Sequence, residues 1–200
     1  MNKTSYMFGC LGLIALFGLI GFFWAKSTYN GMVDQEVAVE QQWAQVRNVY
    51  QRRMDLIPNL VETVKGAANF EKSTLTEIAD ARSRIGQLNV NENTFKDPKA
   101  LDNFLASQDK LNGAIGRLMA QVENYPDLKA TQNFQSLSVS LEGSENRIAV
   151  ERKKFNEAAG VYNTTIRRFP ANLFAGIFGF EKIDFYEGDK GNEKAPTVKF

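Results

Sequence analysis

The chain has 200 residues and a formal net charge of +1, from 24 lysines and arginines against 23 aspartates and glutamates, which leaves room for an N-terminal segment and one domain of about 150 residues. So balanced a chain has no surplus charge to neutralise a run of phosphates, and no nucleic-acid partner is expected. With no histidine and one cysteine, Cys10, it lacks the ligands of zinc, haem, copper and iron–sulfur sites, any nucleophile–histidine pair and any internal disulfide.

The first element is an apolar helix. Residues 7–25 carry no charge and lie between Lys3 and Lys26; as a helix they reach about 28 Å, close to the hydrocarbon thickness of a bilayer. Trp24 and Tyr29 supply interfacial anchors at the C-terminal side. A cleaved signal peptide is the competing reading, but the run exceeds the usual apolar region, and Phe23-Trp24-Ala25 puts bulk where a small residue is needed. Too few apolar residues precede Cys10 for a lipoprotein signal. One lysine on each flank sets no orientation. Gly9 and Gly12 are three apart, as are Gly18 and Gly21, not the four of a small-xxx-small dimer face, so a homo-oligomer through this segment is only an open option. The expected bounds are 1–6 for a short flank and 7–25 for a transmembrane anchor in contact with the lipid bilayer.

Four helices are expected beyond the anchor. In the first, Val33, Val37, Glu40, Trp43, Val46, Tyr50, Met54, Ile57, Leu60 and Val64 recur every three or four residues. That stripe crosses Pro58, which removes a backbone hydrogen bond, so the helix either kinks or restarts there; its unchanged phase favours one kinked helix. Gly66 and Asn69 weaken the pattern. A second helix follows with Leu75, Ile78, Ala79, Arg82 and Ile85, and Ser73 is its candidate N-cap. Leu88 to Thr94 is asparagine-rich and reads as a loop. Asp97-Pro98 is an N-cap followed by proline at the first helical position, opening a third helix with Leu101, Phe104, Leu105, Leu111, Ile115, Leu118 and Val122 that stops at Tyr125-Pro126. The fourth carries Phe134, Leu137, Leu141, Ile148, Phe155, Ala159, Tyr162, Ile166 and Phe169 and ends at Pro170.

No run alternates apolar and polar residues over a strand length with hairpin signals on both sides. The fold expected is all-α: a transmembrane helix, then over 29–170 an antiparallel up-down four-helix bundle of coiled-coil type with long first and fourth helices. Over 171–200 follow an apolar, glycine-punctuated segment and a polar tail with Gly188, Gly191 and Pro196. Counting directions returns the fourth helix to the membrane side, which makes Arg167, Arg168, Phe174, Ile177, Phe178 and Phe180 candidate membrane-proximal contacts. The alternative is that these aromatics fold back and cap the end of the bundle.

The stretch from Tyr50 to Arg84, with Gln51-Arg52-Arg53-Met54-Asp55-Leu56-Ile57-Pro58-Asn59-Leu60-Val61-Glu62-Thr63-Val64-Lys65-Gly66, resembles the hallmark segment of the LemA family. Tyr125-Pro126-Asp127-Leu128-Lys129-Ala130, then Glu142-Gly143-Ser144-Glu145-Asn146-Arg147-Ile148-Ala149, then Tyr162-Asn163 and Phe169-Pro170, recur in LemA proteins in this order. The resemblance covers roughly residues 29 to 200. It implies a single-pass protein of the bacterial inner membrane, with its short N-terminus outside the cell, a cytoplasmic helical bundle and no established enzymatic activity.

Candidate chemistry is sparse. A di-iron bundle site needs histidine, and carboxylate pairs such as Glu36 with Glu40 or Glu142 with Glu145 are more often solvated or paired with cations than metal-bound, so neither metal nor cofactor is expected. Arg52, Arg53, Asp55, Pro58, Asn59 and Glu62 form a candidate partner or ligand surface, because Pro58 frees the carbonyl of Met54 where charges gather. Asn133, Glu145, Asn146, Arg147 and Asn156 punctuate the fourth helix. A buried polar network that fixes how the helices meet is the competing reading of both groups. The function expected is a membrane-anchored scaffold or adaptor that binds an unidentified protein partner without catalysis. The alternative is an enzyme or small-ligand sensor built on Asp55 and Glu62 with Arg52 or Arg53.

Overall fold

A computed structural model describes the backbone of residues 3–66 and 71–186, and side chains from residue 11 onward within those ranges; Asn69, Gly188, Gly191 and Pro196 lie outside them. Among the described residues six α-helices succeed one another: α1 (Lys3–Lys65), α2 (Lys72–Gln87), α3 (Pro98–Val122), α4 (Pro126–Lys129), α5 (Gln132–Arg167) and α6 (Ala171–Phe178), with a 3-10 turn at Thr94–Lys96. Among the described residues every regular element is helical, as expected. Two of the six, α4 and α6, were not expected as helices. α4 is a single turn opened by Pro126, too short for periodicity to reveal. α6 was hidden by its glycines, of which only Gly179 ends the helix, at φ +75°, a conformation that costs a side-chain-bearing residue energy.

α1 is one helix through both the apolar run and the amphipathic stripe, and it continues through Pro58 without restarting. Gly31 costs only about 1 kcal/mol relative to alanine, too little to end so long a helix. Asp97 caps α3 as its sequence implies, Oδ1 accepting from the amides of Lys99 at 2.9 Å and Ala100 at 3.3 Å. Ser73 does not cap α2. It lies inside the first turn, and its hydroxyl donates to Glu71 Oε1 at 2.6 Å.

The chain divides into two compact units, Met1–Val39 with Ala158–Ile183 and Glu40–Glu157 with Asp184–Phe200. In the first, α1 buries Met32 and Val39, whereas Val37 is 43% exposed. The expected series 43, 40, 37 lags the 3.6-residue turn by about 60° at each step and rotates off the buried face. Ala159, Tyr162, Ile166, Ala171, Ala175 and Ile183 are also buried there.

The second unit holds the larger core. Met54, Ile57, Leu60 and Val64 of α1 pack with Leu75, Ile78, Ala81 and Ile85 of α2, with Leu111, Ala114, Leu118 and Val122 of α3, and with Leu128, Phe134 and Leu141. On α2 it is Ala81 that turns inward, while Ala79 and Arg82 are exposed. A second cluster is aromatic: Trp43 has its ring centroid 6.2 Å from Phe95, 5.8 Å from Phe104, 6.0 Å from Phe155 and 6.3 Å from Tyr186. Its indole N–H donates to the carbonyl of Asn91 at 2.9 Å.

Candidate functional site

Each long helix of the second unit interrupts its apolar stripe once with polar side chains, and the interruptions meet. On α1 Arg53 falls between Tyr50 and Ile57, on α3 Gln108 between Phe104 and Leu111, and on α5 Ser144 and Glu145 between Leu141 and Ile148. Arg53 is wholly enclosed and Gln108 nearly so. One terminal nitrogen of the guanidinium donates to Glu145 Oε1 at 2.6 Å and to Asn112 Oδ1, and the other donates to Gln108 Oε1. Its carbon lies 5.2 Å from the centroid of the Tyr50 ring. A buried cation is strongly destabilising unless paired and hydrogen-bonded. Here charge is matched by a carboxylate whose side chain remains 43% exposed, so only one end of the ion pair is fully dehydrated. Arg53 Nε and Gln108 Nε2 find no protein acceptor.

Of the surface expected around Pro58, Arg53 therefore belongs to the interior. Arg52, Asp55, Asn59 and Glu62 are exposed and follow at steps of three and four, one face of α1, while Pro58 is half-buried. Asp55 accepts from Gln51 Nε2 at 2.8 Å, the Asn59 carbonyl accepts from the Thr63 hydroxyl at 2.8 Å, and Glu62 pairs with Lys65 at 2.8 Å. On α5, Asn133, Asn146 and Arg147 face solvent. Glu145 turns to Arg53, and Asn156 grips the backbone of Tyr186, donating to its carbonyl at 2.9 Å and accepting from its amide at 2.8 Å. Gln108 and Asn112 were missed in the sequence, although the gap in the α3 stripe between Leu105 and Leu111 was a signal for Gln108.

Cavities open on the second unit among the described residues. A groove of about 850 Å³ between α2 and α3 is lined by Glu77, Asp80, Arg84, Asp109, Lys110 and Arg117 among others, and Arg117 and Glu77 are paired across it. A cavity of about 670 Å³ is bordered by Thr63, Gly66, Asn124, Tyr125 and Asn133. Neither contains Arg52, Asp55 or Glu62. Among the described residues no three acidic or cysteine side chains gather into a metal-holding group. Burial raises the phenol pKa of Tyr50 against the opposing pull of Arg152 and Arg53. It raises that of Tyr186 as well, with Tyr50 adding and Arg152 opposing.

In the first unit, Asn163 grips Ile183 as Asn156 grips Tyr186, donating to its carbonyl at 2.8 Å and accepting from its amide at 2.9 Å. The Tyr162 hydroxyl donates to the carbonyl of Glu181 at 3.0 Å. Its pKa is pushed up to about 12, by burial first and then by Glu36 and Glu181. The aromatic residues of α6 meet those at the end of the apolar run: Phe174 lies 5.6 Å from Trp24, and Phe178 lies 4.9 Å from Tyr29. Arg167 and Arg168, just before α6, are exposed.

These features define a protein whose described elements are all helical and whose N-terminal helix is long and apolar enough to cross a membrane. The LemA family model matches residues 42–200, and the chain belongs to the LemA family. The match opens at residue 42, later than the residue 29 at which the sequence resemblance begins. Comparison with curated proteins gives no match.

Proposed function

We propose that this chain is a membrane-anchored helical scaffold, which holds its domain at the bilayer by residues 7–25 and presents helical surface to a protein partner without catalysis. In this reading α1, α2, α3 and α5 form an up-down-up-down bundle. Its support is the order of contacts within the second unit: Trp43, then Arg53, on α1 meet Phe104, then Gln108 and Asn112, on α3, but Phe155, then Glu145, on α5. The family resemblance supports a reading in which the chain sits in a bacterial inner membrane with the domain on the cytoplasmic side.

The observation that carries the scaffold reading is the scattering of the reactive groups. An active site needs acids, bases and cations converging on a concavity. Here Arg53 is consumed by internal hydrogen bonds, and Asp55 and Glu62 stand on an exposed helix face, about 10 Å apart along the axis. A helix face with Arg52, Asp55, Asn59 and Glu62 at steps of three and four suits contact with another protein.

The test is a photo-crosslinking amino acid at residue 55 or 59 of the full chain in native membranes. A discrete adduct lost on Arg52→Glu, and absent when the crosslinker sits at exposed Arg82, is the expected result. Equal adducts from all three positions would defeat the scaffold surface. Loss of the chain from alkali-washed membranes on deleting residues 1–28 checks the anchor.

A further inference from the structure

α6, with the sequence Ala-Asn-Leu-Phe-Ala-Gly-Ile-Phe, contains no charge, and it reverses the usual order of a surface helix. Its small residues Ala171 and Ala175 are buried, whereas Leu173, Ile177 and Phe178 are 57%, 74% and 56% exposed, and Phe169 just before it is 80% exposed. A contiguous apolar face of this kind is one that soluble proteins rarely leave to water.

What covers it is indicated by where α6 is fixed. Phe174 packs edge-on against Trp24, and Phe178 and Phe180 against Tyr29, with centroids 5.6, 4.9 and 5.6 Å apart. Trp24 and Tyr29 mark the end of the apolar run, whose residues 11–24 are all exposed. These two aromatics are about 7.5 Å apart along the helix, within the depth of a headgroup layer. The exposed side of α6 is thus continuous with the surface that the proposed anchor gives to lipid. Exposed Lys26, Arg167 and Arg168 stand at the same end of the unit, with Glu181 and Lys182 following α6.

We propose that α6 is an interfacial helix that lies in the lipid surface beside the apolar run, so that the chain meets one bilayer twice, through residues 7–25 and through Leu173, Ile177 and Phe178. The inference rests on the anchor reading above. Apolar side chains enter the boundary between headgroups and acyl chains, and the cations before α6 face phospholipid phosphates. The Trp24 and Tyr29 contacts hold α6 at the depth where such insertion is possible.

The experiment uses the full chain with Cys10→Ser, reconstituted in vesicles of mixed zwitterionic and anionic phospholipid. A single environment-sensitive fluorophore is attached in turn through Phe17→Cys, Leu173→Cys, Ile177→Cys and Val150→Cys. Quenching is compared between doxyl-labelled lipid and aqueous iodide. Residues 173 and 177 are expected to be quenched by doxyl lipid and to show a several-fold loss of iodide quenching relative to exposed Val150. Iodide access at 173 and 177 equal to that at 150 overturns the proposal. So does protection from both quenchers, which would mean that protein, such as a second copy of the chain, covers the face. A label at residue 17 that doxyl lipid fails to reach would overturn the anchor reading itself. Normal quenching at 17 with failure at 173 and 177 removes only the interfacial helix.

Discussion

The two compact units use aromatic residues in opposite ways. In the second, Trp43 disappears among Phe95, Phe104, Phe155 and Tyr186 and closes its one polar atom against the Asn91 carbonyl. In the first, Trp24 meets Phe174 and Tyr29 meets Phe178 at similar centroid distances, yet Trp24, Tyr29 and Phe178 remain 45%, 37% and 56% exposed. Ring contacts alone therefore do not make a core. The difference lies in what fills the remaining solid angle, other side chains in one case and the surroundings of the chain in the other.

The comparison is broken most directly by deleting one indole from each unit. Trp43→Ala should cost about 3–5 kcal/mol, whereas Trp24→Ala should cost less than about 1 kcal/mol in the detergent-solubilised full chain. Equal losses in denaturant titrations would erase the distinction. Leu118→Ala and Leu141→Ala, both within the larger core, should each cost about 2–5 kcal/mol, and losses below about 1 kcal/mol at both would show that core to be loosely packed. Arg53→Ala should cost about 2–4 kcal/mol, because it leaves a cavity and three acceptors without their donor. Glu145→Gln should cost about 1–3 kcal/mol, since an amide oxygen still accepts but the enclosed Arg53 loses its counter-charge.

A subtler probe is alkaline titration of the first unit. Tyr162 has its pKa raised from 10.0 to about 12, so the unfolded chain loses the phenol proton first as pH climbs. Its contribution is whole below pH 10 and disappears as pH passes from 10 toward 12. Denaturation midpoints measured across that window should fall more steeply in the native chain than in Tyr162→Phe. Parallel profiles would mean that the hydroxyl is not enclosed. The smallest effect is expected at Ile177→Ser in the detergent-solubilised chain, within about 0.5 kcal/mol of the native stability, because that residue is 74% exposed and covers little protein surface.

How much of this the amino-acid order discloses depends on the length over which a pattern repeats. Trp43, Met54, Ile57, Leu111, Leu118, Leu141, Phe155 and Tyr162 were all expected in the interior and are buried, since each sits in a stripe that spans several turns. Val37 was misplaced because one helical face can be followed in threes or fours for only a few steps before the phase drifts. α4 and α6 are too short to show a period, and the large apolar residues of α6 point outward, where an inward-facing pattern gives no guidance. For the candidate surface, residue type was legible but direction was not. Arg52 and Arg53 are adjacent, and the roughly 100° between neighbours on a helix sends one to water and the other to the centre.

The enclosure of Arg53 also has a consequence for the order in which the molecule is made. Its acceptors are far downstream, Gln108 and Asn112 by 55 and 59 residues and Glu145 by 92. A hairpin of α1 and α2 emerging first from the ribosome contains none of them. Until α5 has been synthesised as far as residue 145, the guanidinium must stay hydrated, and the turn of α1 around it has to remain open to water. The apolar residues on either side of Arg53 can then be sealed fully only after α5 has joined α1 and α3.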